Sequence, residues 1–407
     1  MGISRFWEAP SLEADDRNMT TSGVEGTFDF EWFRSHLIEE ILPNWLKSVV
    51  TEEGLFLPHL DRGWNRLGKD YGTLVSQSRL LYNFAQGYEL TTEDGYLRAV
   101  ESGARFLLAN FRDEKYGGWY WSCRKDGEVL DSHKNSYGHA FVIFGLTHAF
   151  RVTGDEALKE AAVETWRLLN SRFRDEHGGL WLRMNREFKE MGETKSQNPL
   201  MHTFEALLAL SEVEGLSRIR EDAEAVADFV INRLRRSDGI LPELFTRDWR
   251  ELPAEGGGRI DIGHAFEWAY LLSMAVEMGM RPDYLTHASR FLDYGLRIGY
   301  DPKDGGIYSP ATPEGKIEKK RKGWWEQCEA TRALMHFAVV RGRSDLWEPL
   351  EKTVGFIRRF YIDPEFGGWY RSIGDGDEER DENKGDEWKV DYHVVGMCME
   401  AIRLSSR

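Results

Sequence analysis

The sequence predicts an all-α protein with an (α/α)6 barrel fold, in which six helix-pair repeats close into a ring and short β-hairpins occupy the loops. Two patterns carry this prediction: a glycine-centred turn that recurs along the chain, and stretches of helical periodicity between the turns. The composition agrees, because 41% hydrophobic and 13% aromatic residues supply a large core. We expect residues 1–407 to form one catalytic domain, with residues 1–28 as an N-terminal extension.

The turns share one pattern, an acidic residue before a glycine and a short alternating aromatic stretch after it. This pattern is typical of a tight turn that opens a small hairpin. Successive turn glycines are separated by 64, 61, 60, 67 and 62 residues. The six glycines are Gly54, Gly118, Gly179, Gly239, Gly306 and Gly368.

Between the turns, apolar residues recur at helical spacing, for example at Ala162, Trp166 and Leu169. A unit of about 60 residues holds two helices of ordinary length with their loops. An open α-solenoid is the structural alternative, but its units are usually only about 30 to 50 residues long. The closed ring therefore fits the repeat better.

Charge and composition exclude several classes of protein. The 69 acidic and 53 basic residues give a net charge of −16, which repels nucleic acids and anionic membranes. The longest apolar stretches, such as residues 141–146, are far shorter than the roughly 20 residues that span a bilayer. The first residues lack the pattern of a signal peptide, and Cys123, Cys328 and Cys398 form neither a disulfide framework nor a metal-ligand motif. We expect a cytoplasmic protein; a homodimer is compatible with the sequence.

Side chains that can bind a substrate or transfer protons recur at similar distances, 19 to 25 residues, after the turn glycines. An equivalent distance means an equivalent position, near the start of one helix in each pair, so these side chains are expected to gather at one end of the barrel axis. Isolated structural residues are the alternative interpretation, but they would not need a common phase. The distances are 25 residues for Arg79, 19 for Tyr137, 23 for His202, 25 for His264, 19 for Trp325, 23 for Glu329 and 25 for His393.

Two of these histidines precede a carboxylate by one helical turn, in His202-x-x-Glu205 and His264-x-x-Glu267. Such a carboxylate can fix the tautomer and raise the basicity of a histidine that moves protons. A metal site is the rival interpretation, because His and Glu at this spacing also serve as ligands. The sequence disfavours it, since no Cys or His-x-x-x-His cluster accompanies the pairs. Solvated helix faces are the third alternative.

Aromatic residues such as Tyr137, Trp325 and Trp388 crowd the same zone. Their flat faces suit the C–H face of a pyranose, and their polar tips can bond its hydroxyls. The pattern therefore favours a sugar as the small-molecule partner.

From about Asp29 to Ile402 the chain resembles the N-acylglucosamine 2-epimerase superfamily, which includes cellobiose and mannose 2-epimerases and aldose–ketose isomerases. Segment 78–80 resembles the one whose Arg contacts sugar oxygens, segment 137–141 resembles Tyr-Gly-x-Ala-Phe, and segment 198–206 is similar to the one that supplies a substrate-binding His.

Three further segments resemble motifs of that superfamily. Gly263-His264-Ala265-Phe266-Glu267 is similar to Gly-His-x-x-Glu, whose His is one of two catalytic acid/bases, and segment 324–329 resembles Trp-Trp-x-Gln-x-Glu. Trp388-Lys389 with Tyr392-His393 resembles the segment of the second catalytic His. After His393 the chain has Val394-Val395-Gly396 where cellobiose epimerases tend to have Asn and Arg, which argues against a disaccharide substrate.

The resemblance implies a carbohydrate 2-epimerase that acts on a free reducing sugar through an enediol and needs no cofactor or metal. His264 and His393 would be the catalytic residues. Aldose–ketose isomerisation of mannose type is the close alternative. Glycoside hydrolysis or lyase chemistry with Glu205, Glu267, Glu329 or Asp261, and a non-catalytic sugar-binding protein, are further alternatives. The expected substrate-binding residues are Arg79, Tyr137, Asn198, His202, Glu267, Trp325, Glu329 and Trp388.

Overall fold

A computed structural model of the protein describes residues 28–373 and 380–407, so the predicted N-terminal extension, apart from Phe28, lies outside the described residues. Twelve helices follow one another in the described chain. They are α1 (Phe30–Ser35, His36–Ile41 and Leu42–Val49 in one continuous run), α2 (Leu74–Thr91), α3 (Asp94–Phe106, continued by Leu107–Phe111), α4 (Ser136–Thr153), α5 (Glu156–Arg172), α6 (Asn198–Ser211), α7 (Ile219–Phe229, continued by Val230–Leu234), α8 (Ile262–Glu277), α9 (Tyr284–Gly299), α10 (Trp324–Val340), α11 (Trp347–Phe360) and α12 (Tyr392–Leu404).

The even-numbered helices form an inner ring and the odd-numbered helices an outer one. Each inner helix packs against the next, and α12 packs against α2, so the ring closes. Inner helices are buried nearly all round, as the continuous burial of residues 262–275 in α8 shows. Outer helices are amphipathic: in α9, Phe291 and Leu292 are buried while Arg290 is exposed. The predicted (α/α)6 barrel is confirmed.

Short antiparallel strands join the repeats. They are β1 (Tyr71–Thr73), β2 (Ser122–Arg124), β3 (Val129–Asp131), β4 (Lys134–Asn135), β5 (Arg183–Met184), β6 (Lys195–Ser196), β7 (Leu244–Phe245), β8 (Lys322–Gly323) and β9 (Ser372–Ile373). Strands β2 and β3 form a hairpin within one loop, and β1 pairs with β2, β4 with β5, β6 with β7, and β8 with β9.

These pairings connect the segment before each inner helix with the loop of the following repeat. Single bridges do the same where no regular strand forms, between Ile260 and Ala311 and between Leu60 and Gly385. The last of these bridges joins the end of the chain to its first loop. The six loops therefore form a continuous rim at the end of the barrel where the inner helices begin.

The six turn glycines all have positive φ, from 65° at Gly179 to 98° at Gly54, as a tight turn requires. At Gly54 a Cβ atom would also collide with the carbonyl of Ser102. In four repeats of the described chain, a buried lysine before the inner helix bonds an aspartate at the turn. The pairs are Lys134–Asp113 at 2.9 Å, Lys195–Asp175 at 2.8 Å, Lys322–Asp301 at 2.7 Å and Lys384–Asp363 at 2.8 Å.

None of the described helices combines the length and the apolar character needed to cross a membrane.

Candidate active site

The structure gathers the predicted site residues at the end of the barrel where the inner helices begin. Trp325 and His393 are second residues of α10 and α12, and His264 is the third residue of α8. Arg79, Tyr137, His202 and Glu329 lie within the first two turns of their helices. The shared phase in the sequence is thus a shared height along the barrel axis.

Arg79 is held at this end by aromatic rings and two hydrogen bonds. Its guanidinium carbon lies 4.2 Å from the ring centre of Phe141 and 4.9 Å from that of Tyr392. Its Nη2 donates to the Tyr137 hydroxyl at 2.5 Å, and its Nη1 donates to the carbonyl of Trp388 at 2.9 Å. The side chain is 3% exposed, so Arg79 is a fixed charge inside the site.

Three histidines each place Nδ1 against a buried carboxylate. The distances are 3.0 Å from His202 to Glu205, 2.8 Å from His264 to Glu243 and 2.7 Å from His393 to Glu329. An ionised carboxylate accepts a hydrogen bond from Nδ1–H, which leaves the lone pair on Nε2 when the ring is neutral and a second N–H there when the ring is protonated. The arrangement orients each imidazole and prepares Nε2 for proton transfer.

The two predicted catalytic histidines have opposite electrostatic environments. Burial opposes the charged form of His264, but Glu243 and Asp261 outweigh it and raise the pKa of His264. Burial, together with the positive charge of Arg79, holds the pKa of His393 well below its usual range. A pair whose environments separate their pKa values is the pattern of an acid and a base in one site.

Trp325 lies beside both of these imidazoles. Its ring centre is 4.8 Å from that of His264 and 5.6 Å from that of His393. The indole therefore forms a common apolar wall, against which a substrate can present the same carbon atom to both histidines.

One predicted contact differs in the structure. His202 bonds Glu205 as the i, i+3 spacing predicts, but His264 does not pair with Glu267, whose Oε1 lies 3.8 Å from His202 Nδ1. Glu267 instead faces the barrel axis, where both of its oxygens are buried without a hydrogen-bond partner. Burial, with Glu329 and Glu205 nearby, raises its pKa well above the usual range, which favours the neutral acid, the form that can donate a hydrogen bond.

An open cleft of about 470 Å³ adjoins this cluster. Its wall includes Tyr137, Asn198 and Trp388, and it includes Glu243, the carboxylate that holds His264. Trp388 is 42% exposed, and the Asn198 Oδ1 atom is buried without a partner. The volume suits a small molecule, and the lining offers both aromatic faces and free hydrogen-bonding groups.

Among the described residues, donor atoms that could hold a metal ion come within 4.8 Å of one another in three groups. They are His202–Glu205–Glu267, Glu243–Asp261–His264 and Glu267–Glu329–His393. We assign them as hydrogen-bonded acid/base pairs because each imidazole Nδ1 bonds a carboxylate directly, at 2.7 to 3.0 Å. Arg79 and Arg332 also contribute positive charge around Glu267, which opposes a cation in the two groups that contain it.

Sequence reasoning missed two residues of this site. Glu243 comes from the loop before α8 and is held by Gln197 and Ser196 at 2.8 and 2.7 Å, a tertiary contact without a signal in the local pattern. Arg332 lies one turn after Glu329 on α10. A charged residue in an otherwise buried helix was the signal that could have identified it.

The fold and the site together define a class of protein, an (α/α)6-barrel enzyme that moves protons on a small polar substrate. The sequence model of the N-acylglucosamine 2-epimerase family (GlcNAc 2-epimerase) matches residues 56–397, and the chain belongs to this family. It is an enzyme of the isomerase class, a carbohydrate epimerase or isomerase.

Similar proteins cover nearly the whole chain. A D-mannose isomerase of Marinomonas mediterranea is 28% identical over 92% of this chain and 98% of its own length. A cellobiose 2-epimerase of Bacteroides fragilis is 26% identical over 91% of this chain and 97% of its own length. Among solved structures, a D-mannose isomerase superposes with a TM-score of 0.86 at 25% identity, over 93% of this chain and 99% of that one.

Proposed function

We propose that the protein interconverts the 2-epimers of a free reducing sugar, of mannose/glucose or N-acylhexosamine type, by proton transfer at C2. The observation that supports this most is the pair His264 and His393, which flank Trp325 with oppositely shifted pKa values. Epimerisation needs one group that removes the C2 proton and another that returns a proton to the opposite face.

The reaction starts from the open-chain aldehyde, whose carbonyl acidifies the proton on C2. In this proposal the neutral His393 removes that proton through Nε2, and electron density moves to the carbonyl oxygen to give an enediolate. Arg79 stabilises the oxyanion, a contribution worth several kcal/mol in comparable sites. His202, whose Nε2 carries a lone pair, accepts a hydrogen bond from a sugar hydroxyl. The protonated His264 then returns a proton to the other face of C2, which re-forms the aldehyde.

The cleft supports a monosaccharide or small sugar as the substrate class. In the wall of the cleft, Tyr137 and Trp388 provide apolar ring faces, and Asn198 provides a hydrogen-bonding oxygen without a partner. Trp325 and Glu267, in the adjoining cluster, add a further ring face and a carboxyl group without a hydrogen-bond partner. We favour a monosaccharide over a disaccharide because Val394-Val395-Gly396 follows His393, where cellobiose epimerases tend to have Asn and Arg.

Aldose–ketose isomerisation is the second candidate, and the likeness to D-mannose isomerases favours it. The same enediol serves both reactions, since a proton delivered to C1 instead of C2 gives the ketose. The carbon atom that receives the proton, C2 or C1, therefore distinguishes an epimerase from an isomerase.

The carboxylates give less support to glycoside hydrolysis or lyase chemistry. Glu205 and Glu329 are engaged by histidines, and Asp261 bonds Arg259 at 3.1 Å, so no free pair of carboxylates flanks the cleft among the described residues. A sugar-binding protein without turnover would not need two histidines whose pKa values are shifted in opposite directions.

A sugar panel tests the proposal. The protein is incubated with mannose, glucose, fructose and N-acetylmannosamine, and separately with an oligosaccharide, and the products are resolved at low conversion. The 2-epimer as the main early product supports epimerase activity, and ketose as the main early product replaces it with the isomerase. Shortening of an oligosaccharide identifies a hydrolase or lyase, and unchanged sugars throughout reject the proposal. A homodimer and a cytoplasmic location stay predictions.

A further inference from the structure

Arg332 is a buried cation behind the histidines. It is 4% exposed, and its guanidinium carbon lies 3.9 Å from the ring centre of Tyr270, on the neighbouring helix α8. Burial of a charge at this depth is costly unless partners compensate it. The compensating partners are carboxylates that orient the histidines.

One nitrogen of Arg332 lies between two of these carboxylates. Nη1 is 3.6 Å from Glu329 Oε2 and 4.0 Å from Glu205 Oε1. The other oxygen of Glu329 bonds His393 at 2.7 Å, and the other oxygen of Glu205 bonds His202 at 3.0 Å. Arg332 is therefore connected to two imidazoles, in each case through one carboxylate.

We propose that Arg332 is a positioning residue that keeps Glu329 ionised, and thereby keeps the His393 proton on Nδ1 and the lone pair on Nε2. A protonated Glu329 would donate to Nδ1 instead of accepting from it. The histidine would then carry its proton on Nε2 and could not remove a proton from C2. The activity readouts of this inference rest on the proposed function.

The surroundings of Glu329 make such a cation necessary. Burial and Glu205 raise the pKa of Glu329 to about 7, and Arg332 is the strongest influence in the opposite direction. Removing Arg332 would therefore raise the pKa further, above about 7. The charged and titratable groups around Glu329 are Arg332 on its own helix, Glu205 and His202 on α6, Glu267 on α8, Tyr392 and His393 on α12, and Arg79 on α2.

The barrel contains a second copy of the same constellation, which serves as a matched control. On α12, Arg403 lies one turn after Glu400 and bonds it at 2.7 Å, and Glu400 bonds His336 Nδ1 at 2.9 Å. His336 Nε2 bonds the hydroxyl of Ser273, deep in the buried interior. Arg403 therefore repeats the Arg–Glu–His order of Arg332, with a shorter contact to its carboxylate, and its histidine is not one of the predicted catalytic residues.

The test compares Arg332→Met with Arg403→Met in the full-length protein. For Arg332→Met we expect the acid limb of the kcat/KM profile to move up by about one pH unit, which is about a fivefold loss at pH 7 and about a tenfold loss further down the acid limb, mainly in kcat. For Arg403→Met we expect a lower denaturation midpoint and an acid limb at the wild-type position. A folded Arg332→Met with the wild-type acid limb, or an equal shift in Arg403→Met, overturns the proposal.

Two further measurements keep the test decisive. If Arg332→Met does not fold, Arg332→Lys replaces it; a point charge cannot span two carboxylates, so the acid limb must still move up, by a smaller amount. Nitrogen-15 NMR of labelled histidines needs no turnover, so it separates this proposal from the proposed function. At pH 8, above the pKa of about 7 of Glu329, we expect mainly the Nδ1-protonated form of His393 in the wild type and a clearly larger fraction of the Nε2-protonated form in Arg332→Met; equal fractions in both overturn the proposal.

Discussion

The two predicted catalytic histidines have pKa values that are shifted in opposite directions. His264 lies between Glu243 and Asp261, whose negative charges favour the imidazolium. His393 bonds a carboxylate at a similar distance, but burial and Arg79 outweigh that contact and favour the neutral ring. The assignment of His264 as acid and His393 as base follows from these neighbours.

Substitution of either histidine by asparagine tests the assignment. Asparagine keeps hydrogen-bonding capacity but does not titrate, so His264→Asn and His393→Asn should each lower kcat by about 10²- to 10⁴-fold. Sugar affinity should change little, as measured by calorimetry. His177→Asn, at a half-buried position outside the site, is the control and should retain wild-type kcat. Near-wild-type rates in both site variants would contradict the assignment.

The pH profile follows from the same shifts. As pH falls through about 7, the Glu329–His393 pair takes up a proton and the base is lost. As pH rises through the raised pKa of His264, the acid is lost. We therefore expect a bell-shaped kcat/KM profile. In Glu243→Gln the alkaline limb should move down by about one pH unit while the acid limb stays in place; an unmoved alkaline limb would show that Glu243 does not set the pKa of His264.

At the scale of elements, the lysine–aspartate pairs lock the loops onto the barrel. Lys322 Nζ bonds Asp301 Oδ2 at 2.7 Å, and Asp301 also accepts a hydrogen bond from the Tyr308 hydroxyl at 2.6 Å. The equivalent pairs lie 20 or 21 residues apart in all four repeats that contain them. They fix the segment that leads into an inner helix, and with it the site residues at the start of that helix.

Breaking one of these pairs should cost stability. Lys322→Met leaves a buried aspartate without its cation, and we expect a loss of about 3 to 5 kcal/mol in the free energy of unfolding. Urea denaturation measures it. Lys303→Met, at a side chain that is 86% exposed, should change stability by less than about 0.5 kcal/mol. Equal stability of the two variants would show that the pair is not structural.

The helices and their order could be predicted from the sequence because periodicity is a local property. The positions of His264, His393 and Arg79 at one end of the barrel also followed, since they share a phase within the repeat. The partners of these residues could not be predicted. Glu243 reaches His264 from another loop, and Glu267 turns to His202 instead of His264, because packing across the ring decides which carboxylate meets which imidazole.

At the scale of the whole molecule, closure of the ring connects the two ends of the described chain. Helix α1 packs against α12, and Trp45 Nε1–H donates to Asp391 Oδ2 at 2.8 Å. Asp391 directly precedes α12, whose second residue is His393. The contact that closes the barrel therefore also places the proposed base.

Trp45→Phe removes this hydrogen bond and keeps an aromatic ring. We expect a loss of about 1 to 3 kcal/mol in the free energy of unfolding, together with a lower kcat. Trp166→Phe is the matched control, because Trp166 Nε1–H donates to Asp222 at the same distance of 2.8 Å between two outer helices. It should lose similar stability and keep its kcat. A similar reduction of kcat in both variants would contradict a specific link between the Trp45–Asp391 contact and catalysis.

The most direct test of the central claim follows the proton at C2. The enzyme is incubated with mannose in D2O, and NMR monitors C2 of the product at early times, with His393→Asn in parallel. Proton transfer by His393 and His264 should give the 2-epimer with deuterium at C2 from the wild type, and almost no deuterium in any sugar from the variant over the same time. A wild-type product that keeps its original C2 hydrogen, or exchange that persists in His393→Asn, would contradict it.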